Sequence, residues 1–239
     1  MAGNRALDLG YGEKFLDRLE GWDRLHLILS GQAKSFDPGD VLLGPSHHSQ
    51  TIMLLSSGMV EVTTYAESAR QAFLRVCFPG EFLGEEALLD LRRPRPARAF
   101  TAVALTPVDA RVMSAAQMRS FLEAHPQAWV TLAQDLWARL SGADSQTAHL
   151  SEPTDRRLAR LLWDLDRHGG FVQSDGGRRL PINISQNKLA LWIGASRESV
   201  ERALRKWRER GIVRTAPRTI VVYRPSALAA IAGVSRSTA

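Results

Sequence analysis

Residues 184–204 constrain this chain more than any other stretch. The run Ile184-Ser185-Gln186-Asn187-Lys188-Leu189-Ala190-Leu191-Trp192-Ile193-Gly194-Ala195-Ser196-Arg197-Glu198-Ser199-Val200-Glu201-Arg202-Ala203-Leu204 reads as two short helices around one tight turn. Ser185 and Ser196 are placed to accept hydrogen bonds from the free amides that open each helix. Small Ala190 allows close approach of the second helix, and Gly194 can take the backbone angles of the turn. Leu189, Ile193, Val200 and Leu204 then fill the space between the helices. Arg197, Glu198, Glu201 and Arg202 are left outside at the start of the second helix, the end that meets base edges when such a helix enters a major groove. An arginine fork matches guanine O6 and N7, and a glutamate accepts from cytosine N4. The alternative for such a unit is a role in protein contacts alone.

The flanks extend this pattern. Ile212, Val213, Ile220, Val221 and Val222 surround a polar turn at Ala216-Pro217-Arg218, which reads as a wing hairpin. Lys206, Arg208, Arg210 and Arg214 lie between the recognition helix and this wing, where they can position the chain on phosphates without reading sequence. Residues 151–239 carry 17 Lys+Arg against 8 Asp+Glu, whereas residues 1–150 carry 14 against 17. The basic charge therefore belongs to the C-terminal part, as a phosphate-backbone binder requires.

Ser151-Glu152-Pro153-Thr154 marks a break, because proline cannot continue a helical ladder. Thr154 is expected to cap a helix carrying Leu158, Leu161, Leu162 and Leu165. That helix is expected to end at His168-Gly169-Gly170 with a left-handed glycine, followed by a hairpin around Asp175-Gly176-Gly177. Before the break, residues 113–149 read as one long amphipathic helix, with Trp129, Leu132, Leu136 and Leu140 on one face and Val130, Ala133 and Trp137 flanking it. That seam fits packing on its own domain or on a second copy.

From Phe36 to about Val112 the chain shows short Val-, Leu-, Phe- and Thr-rich runs punctuated by Pro38-Gly39, Gly44-Pro45, Ser57-Gly58 and Pro79-Gly80, the signature of a β-barrel or jelly roll. Residues 1–30 suggest short helices with Phe15, Leu16, Leu19, Leu25, Leu27 and Ile28 as apolar contacts. The fold class is thus α+β: an N-terminal jelly-roll β-barrel (1–112), a long dimerisation helix with its hinge (113–150), and a C-terminal winged helix-turn-helix (151–239). No apolar run spans a membrane and no secretory leader opens the chain, so a cytoplasmic protein is expected. Cys77 is the single cysteine and, between Val76 and Phe78, reads as a buried strand thiol. One cysteine excludes an intrachain disulfide or a four-cysteine cluster. Haem ligation would fall to Cys77, His47, His48 or His125, although the His47-His48 pair reads as an exposed loop. Neither a Gly-x-Ser-x-Gly elbow, a phosphate-cradling loop nor a His-x-x-x-His pair is present, so no enzyme is expected.

The run Gly194–Arg202, together with Thr219-Ile220-Val221-Val222-Tyr223, resembles the turn, recognition helix and wing strand of the CRP/FNR family of bacterial regulators. Pro38-Gly39, Gly58-Met59-Val60-Glu61-Val62 and Pro79-Gly80-Glu81-Phe82-Leu83-Gly84-Glu85 resemble that family's cyclic-nucleotide-binding β-roll. The resemblance implies a homodimer on palindromic double-stranded DNA, RNA polymerase as a protein partner, and base reading by Arg197, Glu198 and Arg202. It also places Gly84, Glu85 and Arg95 where relatives hold a ribose and a cyclic phosphate. The loosely aligned purine-facing pair falls on Ala143 and Asp144. Pro96 departs from the pattern: relatives donate a backbone N–H to the phosphate there, and proline has none. The effector is thus unknown, cyclic nucleotide and an empty roll with a Glu85–Arg95 pair being the alternatives. The arginines 92, 93, 95 and 98 suit a ligand richer in phosphate or a solvated basic loop. A nucleotide-binding module acting through protein partners is the competing function.

Overall fold

The computed structural model describes residues 15–19, 21–45, 50–65, 71–88, 100–149 and 152–234; of residues 65, 71 and 138–149 it describes the backbone alone. The chain forms two compact units, Gly12–Ala138 and Arg139–Ala239.

The first unit opens with two short helices, α1 (Phe15–Arg18) and α2 (Gly21–Ser30). Eight strands follow: β1 (Gln32–Phe36), β2 (Val41–Leu43), β3 (Thr51–Ser57), β4 (Val60–Tyr65), β5 (Gln71–Cys77), β6 (Phe82–Leu83), β7 (Phe100–Ala104) and β8 (Val108–Ser114). They form two four-stranded antiparallel sheets, in the orders β1-β8-β3-β6 and β2-β7-β4-β5. The expected barrel is therefore a two-sheet roll. Pairing runs Gln32↔Val112 to Phe36↔Val108 on one side of β8 and Thr51↔Ser114 onward on the other.

Strand alternation explains how β3 is buried on both faces. Met53 and Leu55 join Val60, Val62, Cys77, Ala102 and Ala110 in the core of the roll. Ile52 and Leu54 point the other way, into a second core with Phe15, Leu27, Phe82, Met118 and Phe121. Each such Val, Leu, Ile, Met or Phe side chain contributes roughly 1.5–3 kcal/mol by leaving water. Cys77 is fully buried on β5, as its apolar neighbours suggested. Phe15, Leu16, Leu19 and Leu27 are buried too, but Leu25 is 43% exposed: it lies on the outer face of α2, away from the core that Leu27 enters.

Residues 113–149 are not one helix. Met113 still belongs to β8, and Ser114 then opens helix α3 (Ala115–Ala124) with a reciprocal cap: Gln117 N donates to Ser114 Oγ (3.1 Å) and Ser114 N to Gln117 Oε1 (2.8 Å). Pro126, which disfavours helix at His125, then starts α4 (Pro126–His149). Leu132 is buried and Leu136 packs against the helical core, so this face serves intrachain packing. Val130 (52%) and Trp137 (71%) remain exposed, and Trp129 is 42% exposed. The side chain of Leu140 lies outside the described residues.

The second unit contains α5 (Thr154–Gly169), β9 (Phe171–Val172), β10 (Arg178–Arg179), α6 (Gln186–Trp192), α7 (Arg197–Glu209), β11 (Val213–Ala216), β12 (Thr219–Val222) and α8 (Pro225–Ala232). Its sheet order is β11-β12-β10-β9, which makes the expected hairpin and wing one sheet. Leu158, Leu162 and Leu165 of α5 are buried. Two termini of α5 differ from expectation. Pro153 occupies the N-cap position and no side chain caps the helix, because Thr154 is already its first residue. Gly170 is extended (φ −61°, ψ 129°) rather than left-handed. Glycine is needed there because a Cβ would collide with the carboxylate of Asp166. That carboxylate is buried and accepts from Arg178 Nε through both oxygens (2.8 and 2.9 Å), pinning β10 to α5.

Candidate nucleic-acid interface

The local chemistry of helices α6 and α7 follows from their caps. Ser185 Oγ accepts from Lys188 N and Ser196 Oγ from Ser199 N, each at 3.2 Å. Gly194 has φ +59°, the left-handed conformation that an L-residue adopts only at a cost, and Ala195 N closes the turn onto Ala190 O (2.9 Å). Leu189, Ile193, Val200 and Leu204 are buried between the helices, with Ala190 at their close approach. Arg157 of α5 adds a clamp that the local pattern did not reveal: its Nη1 donates to the carbonyls of Ile193 and Gly194, the latter at 3.2 Å. The Ile193 carbonyl is among the orphan acceptors that end α6, and the Gly194 carbonyl follows it in the turn.

Arg197, Glu198, Glu201 and Arg202 are all exposed on the first turns of α7. Hydrogen bonds from its own backbone amide and from Ser196 hold the Glu198 carboxyl below its ordinary pKa, with Arg197 adding to the effect. Glu198 is therefore an ionised acceptor. The wing faces this end of the helix. Its register, Ala216↔Thr219, leaves a two-residue turn of Pro217 and Arg218. Arg218 (φ +55°) is the one non-glycine residue with positive φ among the described residues. A groove of about 480 Å³ lies between the helix starts and the wing, lined among others by Ser185, Gln186, Arg197, Thr215, Pro217 and Arg218.

Three of the four expected phosphate contacts already have protein partners. Lys206 Nζ lies 3.4 Å from Asp155 Oδ2, Arg208 Nη1 donates to Thr215 Oγ1 (3.0 Å), and Arg214 Nη2 donates to Asp175 Oδ2 (3.0 Å). Asp175 also accepts from Tyr223 Oη at 2.6 Å and from Gly177 N, which ties the β9–β10 hairpin to the wing. These bonds hold Asp175 below its ordinary pKa and push the Tyr223 phenol up. Arg210 is exposed just beyond α7.

In the roll, Gly84 (φ +86°) turns the chain out of β6 into a short 3₁₀ turn, Glu85–Leu88. Glu85 lies 3.7 Å from Arg75 Nη2. Arg95 and Pro96, with arginines 92, 93 and 98, lie outside the described residues, as do His47 and His48. Asp144 lies on α4, but its side chain is not described. His125 has partners: Asp23 Oδ1 at 2.8 Å from Nδ1 and His26 Nδ1 at 2.9 Å from Nε2. Among the described residues no three metal-ligating side chains cluster, and no helix is long and apolar enough to cross a membrane.

Residues 156–238 match the Crp-like helix-turn-helix domain, and residues 33–125 match the cyclic nucleotide-binding domain, in the order that the two units present. The chain belongs to the CRP/FNR family. It is 27% identical over 192 residues to a CRP-like cAMP-activated global transcriptional regulator of Mycobacterium tuberculosis, covering 80% of this chain and 84% of that one. It is 29% identical over 203 residues to the cyclic AMP receptor protein of Thermus thermophilus, covering 84% and 88% respectively. A solved CRP-family transcriptional regulator from Thermus thermophilus superposes with a TM-score of 0.67 at 25% identity, over 86% of this chain and all of that one. FixK2 of Bradyrhizobium japonicum shares the fold at the same TM-score and 17% identity, over 87% of this chain and 99% of that one. As a CRP/FNR member the chain is a DNA-binding transcription regulator and not an enzyme.

Proposed function

We propose that two copies of this chain bind a two-fold symmetric DNA site, each reading one half-site with α7. Arg197, Glu198 and Arg202 read base edges, with Glu201 beside them, while Ser185 and Ser196 fix the helix starts and Lys206 contacts phosphate. The observation that carries this reading is the exposure of those four charged side chains at the capped start of α7, beside the groove under the wing. The exposed stripe of Val130, Ala133 and Trp137 on α4 supports that helix as the dimer seam. The roll is the effector-sensing part, with Gly84, Glu85, Arg95 and Asp144 as its ligand residues, and residues 150–154 act as the hinge toward the DNA-binding part. The cytoplasm is its compartment and RNA polymerase its downstream partner.

DNA reading is tested by fluorescence anisotropy on a duplex selected by the wild-type protein. Arg197→Ala and Arg202→Ala are expected to abolish preference for that duplex. Unchanged preference in both variants would instead favour a nucleotide-binding module acting through protein partners. The effector role is tested by calorimetric titration with cyclic AMP, cyclic GMP and cyclic di-GMP, with Arg95→Ala as control. Binding that is lost in the control supports the assigned residues.

A further inference from the structure

The Gly84–Glu85 corner of the roll contains a cation from another strand. Arg75 on β5 pairs across the ladder with Val62 of β4, and directly opposed residues of a sheet share a face. Val62 belongs to the roll's core, so Arg75 lies on the inward side. Its guanidinium spans the corner: Nη1 donates to Glu81 Oε2 at 2.7 Å, Nη2 donates to the carbonyl of Phe82 at 3.3 Å, and Nη2 reaches Glu85 Oε1 at 3.7 Å. One side chain thus grips positions on both sides of β6. Glu81 is almost wholly buried, whereas the Arg75 side chain remains 26% accessible. Asp135, buried on α4, adds a further negative charge that acts on the same guanidinium. Burial pulls the Arg75 pKa down, but the acidic groups around it, the carboxylates of Glu81, Glu85 and Asp135 among them, outweigh it and raise it above the ordinary arginine value.

We infer that Arg75 is an internal lock on the ligand corner of the roll: by engaging the Glu85 carboxylate it withholds the acceptor that a nucleotide sugar hydroxyl would need. The inference rests on reading the roll as an effector-binding module. At 3.7 Å the Arg75–Glu85 contact is an ion pair and not a hydrogen bond, and a neutral hydroxyl that displaced the guanidinium would exchange a charge–charge attraction for a weaker contact. A ligand phosphate gains little attraction in compensation, because the carboxylates around Arg75 already neutralise it and repel a further anion. Arg75 therefore sets specificity against cyclic mononucleotides.

The test is calorimetric titration of the full-length protein with cyclic AMP, cyclic GMP and cyclic di-GMP. Arg75→Gln leaves Glu81 an amide donor, and Arg75→Lys leaves it a cation that cannot span the corner. Both fold states are checked by circular dichroism, so the lysine variant carries the test if the glutamine variant does not fold. Wild type is expected to show no saturable mononucleotide binding, and either folded variant to bind at least ten-fold tighter. Adding Glu85→Ala to the responsive variant is expected to abolish that gain. Mononucleotide binding by wild type that the Arg75 variants weaken would overturn the lock and make Arg75 a ligand contact. Silence of both variants toward mononucleotides, with wild type still binding cyclic di-GMP, would overturn the lock and leave the effector-site reading standing. Silence toward all three ligands would remove both.

Discussion

Along α7, three basic side chains have different expected energetics. Arg197 and Arg202, as bidentate donors to guanine, are each expected to lose about 1–3 kcal/mol of binding free energy on substitution by alanine, with relaxed preference at one base pair. Lys206 should behave otherwise, because a phosphate contact carries no sequence information: Lys206→Ala is expected to weaken all duplexes alike and to lower the salt slope of binding by about 1. Anisotropy titrations at several salt concentrations separate the two classes. The Lys206–Asp155 pair makes this a competition, so Asp155→Asn should strengthen binding to every duplex modestly. At the wing tip, Arg218 holds a left-handed backbone. Arg218→Gly should raise the stability of the chain by about 1 kcal/mol through relief of that conformation, visible as a higher Tm. Asp175 supplies a pH dependence. Its folded pKa is lowered, so its contribution to stability is present above the ordinary aspartate range and is lost as pH falls through and below it. Tyr223 is shifted upward, so its contribution is present at neutral pH and lost as pH rises into the tyrosine range. Asp175→Asn should therefore flatten the acid limb of a Tm-against-pH curve relative to wild type.

The elements differ in how far the sequence revealed them, and the reason is range. The caps Ser185 and Ser196, the turn at Gly194 and the four apolar residues between α6 and α7 all fall within one short stretch, Ser185 to Leu204, so local spacing was enough. Arg157 on the carbonyls of Ile193 and Gly194 joins positions nearly forty apart, and nothing in its surroundings marks it. Arg75 was silent for a different reason: its carboxylate partners Glu81 and Glu85 are only six and ten positions away, but they lie beyond a turn, and the periodicity of β5 gives the face of Arg75 without its partners. The long amphipathic pattern of 113–149 hid a break because Pro126 is a good first residue of a helix as well as a breaker of the one before it. Helix α4 also carries two apolar stripes. Leu132 and Leu136 face the core of their own unit, while Val130 and Trp137 stay exposed. An exposed Trp137 is dispensable for the fold of one copy, so Trp137→Glu should leave the circular dichroism spectrum unchanged while converting a dimer to a monomer in sedimentation velocity. A variant that stays dimeric would move the dimer seam elsewhere.

Over the whole chain, the charge distribution and the two units assign the work. The C-terminal 89 residues hold an excess of nine positive charges, and the rest an excess of three negative ones. The phosphate-binding character is therefore confined to the part that carries α7 and the wing, and steep salt dependence is expected of DNA binding. Composition pointed to two parts of different charge, whereas the two compact units divide at Ala138/Arg139, within α4, and not at the break before Thr154. What the roll accepts was not readable from the sequence, since ligand choice depends on side chains such as Arg75 that converge from separate strands. Two copies are proposed to read a symmetric site through α7. This is tested most directly by selecting duplexes from a random pool with the full-length protein and sequencing the bound fraction. The expected product is an inverted repeat with half-sites about one helical turn apart, absent from the pool selected by Arg197→Ala/Arg202→Ala. Selection of no common sequence, or of the same repeat by that double variant, would contradict it.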